Sequence, residues 1–112
     1  MEQFVSTRLL HMQAEFRQRV DAIRRDLQSL LGGGFSELAQ IRENDEVLEH
    51  LLKEAEIELG RVNQALTRLQ EGRYNICVRC GEEISPPRLA AVPQTDVCNA
   101  CARKEAALAR SA

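Results

Sequence analysis

The chain has 112 residues, no Trp, one Tyr and three Phe, and a formal net charge of −2. That length allows one domain, or a small domain with an extended element, and so few aromatics exclude a large aromatic core. The near-neutral charge excludes a global attraction to nucleic acid or anionic membrane, and no run approaches the roughly 20 apolar residues of a membrane span.

Composition breaks sharply at Gly72. Residues 1–71 hold 9 basic and 13 acidic side chains with no Pro or Cys, whereas residues 72–112 hold all four Cys and all three Pro. The expected domains are accordingly 1–71 and 72–112. The N-terminal MEQFVSTRLL lacks the charged start and unbroken apolar stretch of a signal peptide, which points to the cytoplasm.

The first element reads as a helix with apolar residues at Leu9, Phe16, Val20, Ile23, Leu27 and Leu30. The second repeats the pattern at Leu48, Leu52, Ala55, Leu59, Val62, Leu66 and Leu69, in steps alternating between four and three. This heptad seam keeps one narrow stripe facing a partner helix. Between them lies LLGGGFSELA, with Gly32 past the end of the first helix, Ser36 as N-cap of the second and Glu37 in its first turn. Three glycines uncouple a continuous coiled coil, so an antiparallel hairpin with its tip near 32–39 is expected rather than a dimer of straight helices, and the protein is expected to be a monomer. A helix of roughly 28 residues reaches about 40 Å. Gly60 costs the second helix about 1 kcal/mol relative to Ala. Arg24, Arg25, Glu43, Glu46, Glu49 and Glu56 read as solvated faces.

The second part reads CVRCGEEISPPRLAAVPQTDVCNAC, with Cys77/Cys80 and Cys98/Cys101 as two Cys-x-x-Cys pairs separated by 17 residues. Two intervening residues let both sulfurs of a pair reach one ion, and Gly81 permits the tight turn after the first pair. Four soft ligands make a closed tetrahedral shell for one structural Zn²⁺, with no open position for water. The competing reading is a redox dithiol, which a second pair at zinc-finger spacing disfavours. About 40 residues have too little core to fold alone, so metal binding carries much of this domain's stability. From Ala102 the tail has helix-forming composition and reads as a short closing helix. The fold class expected is thus an all-α coiled-coil hairpin followed by a small four-cysteine zinc finger and a short C-terminal helix.

The stretch GRYNICVRCGEEISPPRLAAVPQTDVCNAC resembles the zinc finger of the DksA/TraR family of bacterial transcription regulators, through Gly72, Tyr74, the four Cys, Gly81, Ile84, Arg88-Leu89, Ala91 and Pro93. The preceding hairpin matches the family's architecture; its longer members carry an extra N-terminal segment. The resemblance implies a partner, bacterial RNA polymerase, whose secondary channel admits the coiled coil so that the tip lies near the active site. It also implies a regulator that does not bind DNA sequence-specifically. An ungapped count from Cys77 puts the family's Asp-x-x-Asp-x-Ala tip on Gly34-x-x-Glu37-x-Ala39. One of two acids is lost and the other is a methylene longer. Guanosine tetraphosphate, the family's frequent co-effector, would meet Glu54 where an arginine is used, a charge reversal, and Arg61 where a lysine is used, which keeps the charge. The expectation is polymerase binding with weak or altered regulation.

Two other classes stand beside it. One is a nucleic-acid-binding zinc module using Arg73, Arg79, Arg88, Arg103 and Lys104, a thin phosphate footprint with Tyr74 as its one nearby aromatic. Arg88 has a second reading, as a brace of the zinc domain against the helices. The other class is a zinc-capped coiled-coil adaptor with no polymerase role. An enzyme is not expected, because His11 and His50 lie in the helices and no nucleophile–base pair or phosphate loop is visible.

Overall fold

The computed structural model describes residues 2–31 and 38–111, with side chains described for residues 3–29 and 45–109. Four helices follow in order: α1 (Glu2–Leu31), α2 (Leu38–Gln70), α3 (Pro86–Ala91) and α4 (Asn99–Ser111). The fold is an all-α coiled-coil hairpin followed by a small four-cysteine module and a C-terminal helix. Among the described residues the only β pairing is an isolated antiparallel bridge between Ile76 and Glu83. Gly32, Gly34, Ser36 and Glu37 lie outside the described residues. Ala39 falls within α2, but its side chain lies outside them as well.

The contacts divide the chain into two compact units, His11–Gly60 and a second made of Met1–Leu10 with Arg61–Ala112. In the first, the expected seam is the core: Val20, Ile23 and Ala55 are buried, with Leu27, Leu48, Leu52 and Leu59 packed against them. Each residue comes from the alternating four–three positions, so one stripe per helix is enough to bury the interface. Arg24 Nη2 meets Glu56 Oε1 at 3.4 Å, so these two residues, read as solvated faces, pair with each other across the hairpin while remaining half exposed. Phe16 is only half buried, and Arg19 one turn on covers its ring at 5.1 Å from the centroid.

In the second unit Leu9, Val62 and Ala65 are fully buried, and Arg68 is 7% exposed. Ala65 and Arg68 lie outside the heptad stripe. Arg68 is covered because its guanidinium reaches into the cysteine module, where Nη2 donates to the Thr95 carbonyl at 3.0 Å. Gly72, with φ of 77°, ends α2 as its composition implies. The N–H of Gly72 returns to the Leu69 carbonyl and that of Arg73 to the Arg68 carbonyl, the pair of bonds that closes a helix through a left-handed residue.

Candidate metal centre

The first cysteine pair sits on a tight turn. Cys77 N–H donates to the Glu82 carbonyl at 2.8 Å, Gly81 N–H donates to the Cys77 carbonyl at 3.0 Å, and Gly81 has φ of 76°. That conformation favours glycine, which explains its place directly after Cys80. Ile84 N–H donates to the Asn75 carbonyl at 2.8 Å and closes the loop behind the sulfurs.

The second pair sits on the start of α4. This helix begins at Asn99, three residues before the expected Ala102, so Cys101 is in its first turn. Cys98 takes the capping position: its Sγ accepts the N–H of Cys101 at 3.5 Å. A thiolate there is favoured by the positive end of the helix.

All four Sγ atoms lie within 4.8 Å of one another, and Cys80 and Cys98 approach to 3.8 Å. A zinc–sulfur bond of about 2.3 Å puts the sulfurs of a tetrahedron about 3.8 Å apart, so the donor set fits the ion. Charge makes the same point. Burial acts to raise the Cys77 thiol, but the backbone N–H groups of Cys80, Cys98 and Arg79 outweigh it and bring it down to about 6. The Cys98 sulfur and burial push Cys101 the other way, up to about 12. Four crowded sulfurs resist common ionisation unless a cation sits among them. Cys77, Cys80, Cys98 and Cys101 are placed to hold one structural zinc, and four protein ligands would leave no position for substrate.

Apolar packing surrounds the sulfurs: Cys77, Ile84, Val97 and Cys101 form one buried cluster, with Leu89, Cys98 and Ala102 against it. The short helix α3 lies outside the heptad pattern and is set by its own start. Ser85 Oγ accepts the N–H of Arg88 at 3.4 Å, and prolines open the helix, as a Ser-Pro-Pro start dictates. Arg88 braces the module from within rather than against the hairpin. Its Nε donates to the Val97 carbonyl at 2.7 Å, Nη1 to Asn99 Oδ1 at 3.1 Å and Nη2 to Thr95 Oγ1 at 3.1 Å.

Side chains from the helical base (the start of α1 and the end of α2) and from the turn after it also reach this module. Arg8 Nη1 donates to the Ala90 carbonyl at 2.7 Å, Arg68 Nη2 to the Thr95 carbonyl at 3.0 Å and the Tyr74 hydroxyl to the Pro93 carbonyl at 2.8 Å. Burial lowers Arg68 below the ordinary arginine range, opposed by Asp96 and Tyr74. Of the remaining sequence-selected residues, Arg61 is exposed on α2, and Glu54 contacts His50 at 3.0 Å on an exposed turn. His11 likewise faces Glu15 at 3.0 Å.

Residues 72–105 match the model of the prokaryotic dksA/traR C4-type zinc finger. The structure also superimposes on transcription factor DksA2 from Pseudomonas aeruginosa with a TM-score of 0.85, at 25% identity, over 97% of this chain and 85% of that one. Residues 72–105 thus form a DksA/TraR-type zinc finger, and the chain as a whole has the fold of DksA2. Similar curated proteins include an uncharacterized protein of Aquifex aeolicus (strain VF5), 37% identical over 70 residues, or 62% of this chain and 48% of its own. General stress protein 16O of Bacillus subtilis (strain 168) is 30% identical over 92 residues, or 77% of this chain and 56% of its own. The chain thus spans about half the length of the curated relatives it matches. Among the described residues no helix is long and apolar enough to cross a membrane.

Proposed function

We propose that this protein is a transcription regulator that binds bacterial RNA polymerase, entering the secondary channel with its coiled-coil hairpin. The observation carrying this reading is the likeness to DksA2, a transcription factor, over 97% of the chain. In this reading Glu37 and Ala39 form the contact near the polymerase active site, with Gly34 in place of a second acid. A single carboxylate acts there through position and charge, so its regulation is weaker than that of a two-acid tip. Arg61 is an effector or partner contact, and the charge reversal at Glu54 weakens any response to guanosine tetraphosphate. The protein works as a cytoplasmic monomer, without enzymatic activity and without sequence-specific DNA recognition.

The nucleic-acid reading is disfavoured by the cations it needs. Arg88 is spent on three hydrogen bonds inside the module, Arg79 pairs with Glu105 at 3.0 Å, and Arg73 pairs with Glu71. That leaves Arg103 and Lys104, too few cations to form a phosphate-binding stripe.

The deciding experiment measures promoter-complex lifetime on a ribosomal RNA promoter with purified bacterial RNA polymerase, comparing no factor, the wild type and Glu37→Ala at matched salt. A shortened lifetime with the wild type, lost in the variant, is the expected result. No change with either protein would remove the regulatory reading for that promoter and leave silent channel occupancy or a zinc-capped adaptor.

A further inference from the structure

Three consecutive carbonyls lead into Cys98, and each is held from a different direction. Thr95 accepts from Arg68 of α2 at 3.0 Å, Asp96 from the backbone N–H of Val78 at 2.9 Å, and Val97 from Arg88 of α3 at 2.7 Å. Upstream, the Ala90 and Pro93 carbonyls accept from Arg8 of α1 and from Tyr74. Three of these five donors, Arg8, Arg68 and Tyr74, lie before the first cysteine, in the helical base and the turn after it.

This arrangement bears on how metal leaves. Cys77 and Cys101 are buried, whereas Cys80 is exposed and Cys98 is half buried, so an incoming chelator reaches Cys80 and Cys98 first. The segment from Ala90 to Val97 carries Cys98 into the site, and displacing that segment breaks the bonds just named. We propose that Arg8, Arg68 and Tyr74 are positioning residues of the zinc centre, and that the helical base sets the rate at which the centre gives up its metal. The metal is held by four sulfurs, but its retention is governed by donors as far away in sequence as Arg8, 82 residues from its acceptor. A helical base that loosens, for whatever cause, opens the centre to zinc acceptors.

The test is zinc transfer from the full-length, zinc-loaded protein to the coloured chelator 4-(2-pyridylazo)resorcinol at neutral pH. Arg8→Met keeps the length of the side chain and removes the donor; Arg8→Lys keeps a donor; Tyr74→Phe removes one hydroxyl. Val20→Ala, in the other compact unit, is the control for general destabilisation. Each lost hydrogen bond should accelerate transfer roughly three- to tenfold, while circular dichroism reports unchanged helicity. Arg8→Lys should stay near the wild-type rate, and Val20→Ala should lower the melting temperature without accelerating transfer. Wild-type rates in both Arg8→Met and Tyr74→Phe overturn the proposal, and so does an equal acceleration by Val20→Ala. Should Tyr74→Phe fold poorly, the comparison of Met with Lys at the exposed Arg8 decides alone.

Discussion

Cys80 Sγ and Cys98 Sγ stand 3.8 Å apart although they lie 18 positions apart in the chain. Neither sulfur is in a disulfide, and their spacing is that of two ligands on one tetrahedral zinc. Purified protein should therefore contain about one zinc per chain by elemental analysis. Cys98→Ser should lose the metal and the protection of backbone amides in residues 72–105. A variant that kept both its fold and its stability would contradict a structural metal.

Zinc uptake should release protons. Cys80 and Cys101 have thiols held above their ordinary value, so each gives up a proton when metal enters, whereas Cys77, lowered to about 6, is already a thiolate at neutral pH. In the metal-free fold, the depressed Cys77 contributes stability above its ordinary value of 9.0 that is lost as pH falls toward 6. The raised Cys101 does the reverse, favouring the fold below 9.0 and losing that contribution as pH rises toward 12. Calorimetric titration in buffers of different ionisation enthalpy reads the proton count, and zinc affinity should fall steadily as pH is lowered.

Much of this was legible from spacing alone. Four–three steps at Val20, Ile23, Ala55 and Leu59 are a local signal, as are paired Cys-x-x-Cys motifs, because each depends on neighbours a few residues away. Ala65 and Arg68 were not legible. An alanine carries no strong pattern, and an arginine is ordinarily solvated, so the burial of Arg68 shows only once the folded module brings the Thr95 carbonyl to it. Arg88 carried two competing sequence readings because its partners, Thr95, Val97 and Asn99, have no periodic relation to it. The Ser85 cap and its two prolines were readable, but a helix of six residues is shorter than the periodicity that reveals helices.

Removing the Arg88 fork should destabilise the zinc module rather than weaken nucleic-acid binding. Arg88→Ala leaves the Val97 carbonyl and Thr95 hydroxyl short of a charged donor, a loss of about 2–4 kcal/mol by the usual worth of such bonds. Arg88→Lys should recover only part of it, because an ammonium cannot match three acceptors in the guanidinium plane. Denaturant melting gives the stability, and a filter-binding assay on duplex DNA should show no difference between the variants. A stable Arg88→Ala protein would show that the fork is not what braces the module.

Two glycines of α2 and its end should respond to alanine with opposite signs. Gly60 lies within the helix, and a Cβ there meets nothing within 4 Å, so Gly60→Ala removes the entropy penalty of glycine at no steric cost. The gain should be about 1 kcal/mol. Gly72 has equally open surroundings, but its φ of 77° places a Cβ against its own backbone, so Gly72→Ala should cost about 1–2 kcal/mol. Space is therefore not what distinguishes the two positions; backbone conformation is. Thermal melts of the two variants beside the wild type measure the difference, and a shift of the same sign in both would mean that the left-handed close of α2 does not persist in solution.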